Sequence, residues 1–92
     1  MASYKITYAK SFLRDLLENF SPQEAGIIRK TAMNLEVKPH PANSKLIHQG
    51  KLYYRLKLKE PNARIIYQVN DQAKKVTVLY ARWRGPETYK DI

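Results

Sequence analysis

The fold class that the sequence predicts is a small α+β domain: an antiparallel sheet with a helical hairpin packed on one face. Three observations predict it. SYKITYA near the N-terminus alternates Tyr4, Ile6 and Tyr8 with polar neighbours, the period of a strand. Two segments of helical spacing follow back to back. Three runs rich in strand formers, LYYRLKLK, ARIIYQVN and KKVTVLYARW, then come with only EPN and DQA between them, short enough for hairpins. The order β-α-α-β-β-β fits a single domain over residues 1–92, a length suited to one core. A chain of this size buries roughly 60–65% of its unfolded surface, so that core is thin.

Each helix has a local cause. In KSFLRDLLENF, the residues Phe12, Leu13, Leu16, Leu17 and Phe20 recur on one helical face. The second helix starts at Ser21, a good N-cap, with Pro22 in the first turn and Glu24 placed to close a capping box. Ile27, Ile28, Ala32 and Leu35 continue its apolar side. Gly26 lies inside this helix, where glycine costs stability. The segment VKPHPANSKLIHQGK, broken by Pro39, Pro41, Asn43 and Gly50, reads as a connector. After the last strand, RGPETYKDI begins a tail at a Gly-Pro break.

Composition narrows the function classes. The chain has no cysteine, which removes disulfides and thiolate chemistry and fits a reducing, cytoplasmic setting. The N-terminus lacks the apolar stretch of a signal peptide, and no apolar run approaches the ~18–20 residues that span a bilayer, so no membrane partner is expected. The net charge is +9, from 17 Lys+Arg against 8 Asp+Glu. The excess is uneven. Through Leu46 there are seven cations and four anions; beyond it there are ten and four, which leaves six of the nine net charges in the second half. Such a balance suits nucleic acid or an acidic protein partner.

The second half also sorts its charges by face. Side chains alternate across a strand, so Arg55, Lys57 and Lys59 share one face while Tyr54, Leu56 and Leu58 take the other. Ile65, Tyr67 and Val69 belong with the core, which puts Arg64, Ile66 and Gln68 with the cations. Arg82 and Arg84 have matching parity and extend the patch. Like charges on paired strands oppose folding, and Thr or Gln would serve an open face as well. Edge protection accounts for Lys59, since lysines blunt exposed strand edges. It does not account for Arg55, Arg64 and Arg84, and these point to a polyanion.

The element order, the run YRLKLKEPNARIIYQV over Tyr54–Val69, and a closing Arg followed by Tyr resemble the RelE/ParE family of bacterial and archaeal toxins. The resemblance covers nearly the whole chain. It implies a toxin of a type II toxin–antitoxin system, neutralised by a cognate antitoxin protein. In the RelE branch it implies cleavage of messenger RNA in the ribosomal A site, with ribosome and mRNA as partners and operator DNA reached only through the antitoxin complex. The family positions fall on Arg55 and Lys57, on Arg64, on Arg84, and on Tyr89 in the tail. Relatives with a histidine acid or base find no counterpart, because hairpin and tail contain none. A ParE-like inhibitor of DNA gyrase and a non-catalytic RNA-binding module are the alternatives.

The chemistry implied needs no cofactor and no metal. The RNA 2′-OH attacks the adjacent phosphate, giving a 2′,3′-cyclic phosphate and a 5′-OH. Arg64 and Arg84 suit the phosphate, which guanidinium groups bind in a fork. Lys57, set among Arg55, Lys59 and Arg64, is the candidate base, since neighbouring cations favour a neutral amine. Tyr89 is placed to stack on a base or hold the sugar. Arg55, Lys59 and Arg82 are expected to bind RNA along the same face. His40 and His48 read as exposed loop residues, Trp83 as packing, and Asp15, Glu18 and Glu36 as surface charge.

Overall fold

The computed structural model describes residues 3–86, 88, 89 and 92. Strand β1 (Lys5–Tyr8) leads into helix α1 (Lys10–Asn19) and helix α2 (Pro22–Met33). Four strands follow: β2 (Ser44–His48), β3 (Tyr53–Lys57), β4 (Ala63–Asn70) and β5 (Lys75–Trp83). The capping box forms as expected: Glu24 N–H donates to Ser21 Oγ at 3.2 Å, and Ser21 N–H donates to the Glu24 carboxylate at 2.8 Å. None of the described helices is long and apolar enough to cross a membrane.

The α+β class is as the sequence predicts, with two additions. The sheet has five strands in the order β1-β5-β4-β3-β2, and β1 runs parallel to β5 while the other pairs are antiparallel. The fifth strand, β2, lies in the segment expected to be a connector. SKLIH carries adjacent Leu46 and Ile47 instead of an alternation, and prolines and a glycine bracket it, so no strand period marks it.

Helical and sheet side chains meet in one core. Phe12, Ile28, Ala32 and Leu35 pack with Leu56, Ile65, Tyr67, Val69, Val76 and Val78, all nearly or fully buried. Burying side chains of the larger apolar kind contributes about 1.5–3 kcal/mol each. Tyr67 keeps its hydroxyl satisfied inside this core by donating to the Pro39 carbonyl at 2.9 Å.

Strand β1 pairs only with Lys75–Val78. Helix α1 takes over the edge of β5 beyond that point. Ser11 Oγ donates to the Leu79 carbonyl, Ala81 N–H donates to Asp15 Oδ2 at 3.1 Å, and Trp83 Nε1 donates to the Asn19 carbonyl at 2.8 Å. Positions 11, 15 and 19 form one stripe of the helix, and 79, 81 and 83 one row of the strand. Four helical residues rise about 6 Å, and two strand residues about 6.6–6.8 Å. The two ladders therefore stay in step. Asp15 is thus not simple surface charge. It is half-buried, and desolvation outweighs the Ala81 hydrogen bond, raising its pKa above the usual carboxylate value.

Candidate functional site

The cationic side chains lie where register puts them. Lys57 of β3 pairs with Arg64 of β4, and Arg64 pairs with Arg82 of β5. Three cations therefore stand side by side across three strands. The next row places Arg55 opposite Ile66, and Ile66 opposite Tyr80. Ile66 is fully buried although it lies outside the main core, so this face is not bare. Long side chains such as arginine shield apolar surface in this way.

Like charges directly opposite one another repel. The row resolves this by splaying. Arg64 is 8% exposed, and its Nη1 donates to the Ala63 carbonyl at 2.9 Å, with longer contacts to the Leu58 carbonyl and Asn62 Oδ1. Arg82 lies over the Tyr80 ring, 4.5 Å from its centroid, and donates to the Thr88 carbonyl at 3.1 Å. Lys57 remains exposed at the strand end. Among the described residues, no carboxylate pairs with Arg55, Lys57, Arg64 or Arg84.

Thr88 organises the tail. It is 4% exposed, its hydroxyl contacts the Trp83 and Gly85 carbonyls, and it accepts from Gly85 N–H at 2.8 Å. This turn brings Tyr89 back against the cations. Arg55, Lys57, Arg64, Arg84, Thr88 and Tyr89 line one open cleft of about 440 Å³. Five of the residues singled out from the sequence thus meet in one place.

The remaining two are placed differently. Lys59 lies past the end of β3 and does not line Tyr89's cleft; it lines a neighbouring one that Lys57 also lines. Edge protection does not explain it, because β2 covers β3 and makes it an interior strand. Arg82 does not line the cleft; it ties the tail turn to the sheet. Residue patterning gives no sign of a site role for Thr88, nor for Asn43 and Asn62 beside Lys57. Each is a single polar loop residue, and only its position just after a Gly-Pro break, in the connector or inside the EPN turn marks it.

The residues outside the cleft have local roles. Trp83 packs as expected, its ring stacked on Phe20 at 4.7 Å between centroids. His40 is exposed but not idle: its Nε2 lies 3.0 Å from the Asp71 carboxylate, which also accepts from the Tyr4 hydroxyl at 2.7 Å. The hydrogen bonds from Tyr4 and His40 lower the Asp71 pKa below the usual value.

Fold and cleft together define a small α+β protein whose cleft gathers guanidinium and ammonium groups with no carboxylate partner among the described residues. Protein-family models and curated proteins give no match. Solved structures do. A complex of archaeal RelE with RelB from Pyrococcus horikoshii OT3 matches at TM-score 0.73 and 25% identity, over 94% of this chain and 99% of that one. A mutant of the Escherichia coli toxin RelE in the free state matches at TM-score 0.73 and 19% identity, over 97% and 93%. The toxin–antitoxin complex RelBE2 from Mycobacterium tuberculosis matches at TM-score 0.73 and 19% identity, over 89% and 99%. The chain has the RelE-like fold, as its resemblance to the RelE/ParE family implies.

Proposed function

We propose that this chain is the toxin of a type II toxin–antitoxin pair and an endoribonuclease that cuts translated mRNA in the ribosomal A site. The reading is carried by one observation: Lys57, Arg64 and Arg84 share a cleft with Tyr89 and no described carboxylate. Solved structures of RelE with RelB support a cognate antitoxin as the partner. Operator DNA is then reached only through that complex, and the ribosome and its message are cytoplasmic partners.

In this mechanism the cleft orients the RNA and supplies charge. Arg64 enters it with its guanidinium already fixed by the Ala63 carbonyl, so little freedom is lost when a phosphate binds. Arg84 and Arg55 add to the same field. Of the cations around the phosphate only Lys57 can release and take up a proton, since arginine stays charged. Its amine accepts the 2′-OH proton as O2′ bonds to phosphorus. The phosphorus–O5′ bond then breaks, and O5′ takes a proton from solvent water. The products are a 2′,3′-cyclic phosphate and a 5′-OH. Tyr89 holds the nucleotide by stacking or through the sugar.

The test is induced expression followed by mapping of transcript 5′ ends. Cuts at codon-phased positions in translated messages are expected. Intact messages with broken chromosomal DNA would replace this reading with gyrase poisoning.

A further inference from the structure

Lys57, Arg64 and Arg84 wall two clefts, and the mechanism uses only one. The second, about 530 Å³, opens toward the β3–β4 turn and is lined further by Asn43, Lys59 and Asn62. Its size falls within the range of roughly 300–1,000 Å³ typical of small-molecule sites. We propose that this second cleft is a nucleotide subsite, which receives the nucleotide on the opposite side of the cut linkage from the one held by Tyr89. The proposal rests on the nuclease reading and deepens it.

The shared wall is the first argument. A phosphate clamped by Arg64 and Arg84 sits between the two clefts, so the nucleotides it joins are directed one to each. Lys59 is the second. It lies in an exposed bend of the chain, outside any strand, and although Glu60 follows it in sequence it forms no ion pair with a carboxylate of the described residues. Neither edge protection nor ion pairing gives it a structural task, and its ammonium suits the next phosphate along the strand.

The amides are the third argument. Asn43 Nδ2 donates to the Lys57 carbonyl at 2.8 Å, which leaves its Oδ1 as an acceptor. Asn62 Oδ1 faces Arg64 Nη1 at 3.4 Å, which leaves its amide N–H groups as donors. A donor and an acceptor lining one cleft suit the edge of an unstacked base. The two clefts therefore recognise differently: an aromatic ring faces one nucleotide and hydrogen-bonding groups face the other. The sequence preference of cleavage comes from the second.

The absence of cysteine from the chain allows a direct test. Lys59→Cys and Tyr89→Cys each provide a single thiol for a short photo-crosslinker. Each variant is bound to ribosomes carrying a message whose scissile 2′-OH is replaced by hydrogen. The Lys59→Cys and Tyr89→Cys variants are expected to form adducts on different nucleotides, one on each side of the blocked linkage. Adducts on the same nucleotide, or crosslinking by Tyr89→Cys without any by Lys59→Cys, would overturn the proposal.

Kinetics give a second readout. Lys59→Ala should raise KM more than it lowers kcat and reduce the salt slope of binding by about one. Asn62→Ala should change which nucleotide is preferred at that side. An unchanged salt slope together with an unchanged preference would also overturn it. If wild-type protein leaves messages intact and neither thiol crosslinks, the nuclease reading fails first and takes the subsite with it.

Discussion

Strand β5 meets polar side chains along two of its borders, and the two are built on opposite rules. Along α1, each polar group has a partner: Ser11 with the Leu79 carbonyl, Asp15 with Ala81 N–H, and Trp83 with the Asn19 carbonyl. Toward β4, Arg82 stands beside Arg64, and Arg64 beside Lys57. The first border closes a sheet edge. The second concentrates one sign of charge, and its arginines rest on carbonyls and a ring among their partners. Folding explains a polar group that is matched; Lys57 and Arg64, which pair with no carboxylate among the described residues, are the ones the proposed function assigns to a ligand.

That contrast can be broken at either border. The largest effect is expected at the cationic one. Arg64→Ala should lower cleavage of ribosome-bound message about 10²–10³-fold, the scale of losing one preorganised charge donor. The circular-dichroism signature of the sheet should persist. Full activity in this variant would remove the phosphate clamp.

The closed border predicts loss of stability without loss of chemistry. Asp15→Ala leaves Ala81 N–H without its acceptor and should cost about 1–2 kcal/mol in urea denaturation, while Asp15→Asn, which keeps an acceptor oxygen, should cost less. The rate per folded molecule should be unaffected by either.

Gly26→Ala sharpens the comparison from the helical side. Gly26 is exposed, and a Cβ there meets nothing within 4 Å. Alanine should therefore stabilise α2 by about 0.5–1 kcal/mol, read as a rise in melting temperature.

The smallest effect concerns pH. Asp71 has a lowered pKa in the folded state, so its contribution to stability is present above the unfolded value near 3.9 and is lost as pH falls through the folded value. Asp71→Asn should flatten that part of the stability profile below about pH 4. Asp15 has the opposite sign: its raised pKa favours the protonated fold, so its contribution declines as pH rises from the unfolded value to the folded one.

Much of this arrangement could be read from residue order. Ser21 and Glu24 set the start of α2, and alternation through Tyr54–Lys59 separated the apolar side of the hairpin from the cationic one. Both signals are local. What escaped was nonlocal or carried by single residues. The parallel pairing of β1 with β5 joins residues 70 apart in the chain, such as Lys5 and Lys75, and no sequence period reports it. Strand β2 lacks alternation, and without it β3 looks like an edge and Lys59 like edge protection. Thr88 fixes the tail through hydrogen bonds that no pattern of residue types announces. Arg82 has the parity of a cleft residue, yet its guanidinium turns to the Thr88 carbonyl, a choice made by the tail's path.

The most direct test of the cationic cleft as a nuclease is the single-turnover cleavage rate of Lys57→Arg on ribosome-bound message at saturating protein. Arginine keeps the charge and the phosphate field but cannot take up the 2′-OH proton. A fall of about 10²–10⁴-fold with binding retained is predicted. Cleavage at the wild-type rate would show that Lys57 is not the base.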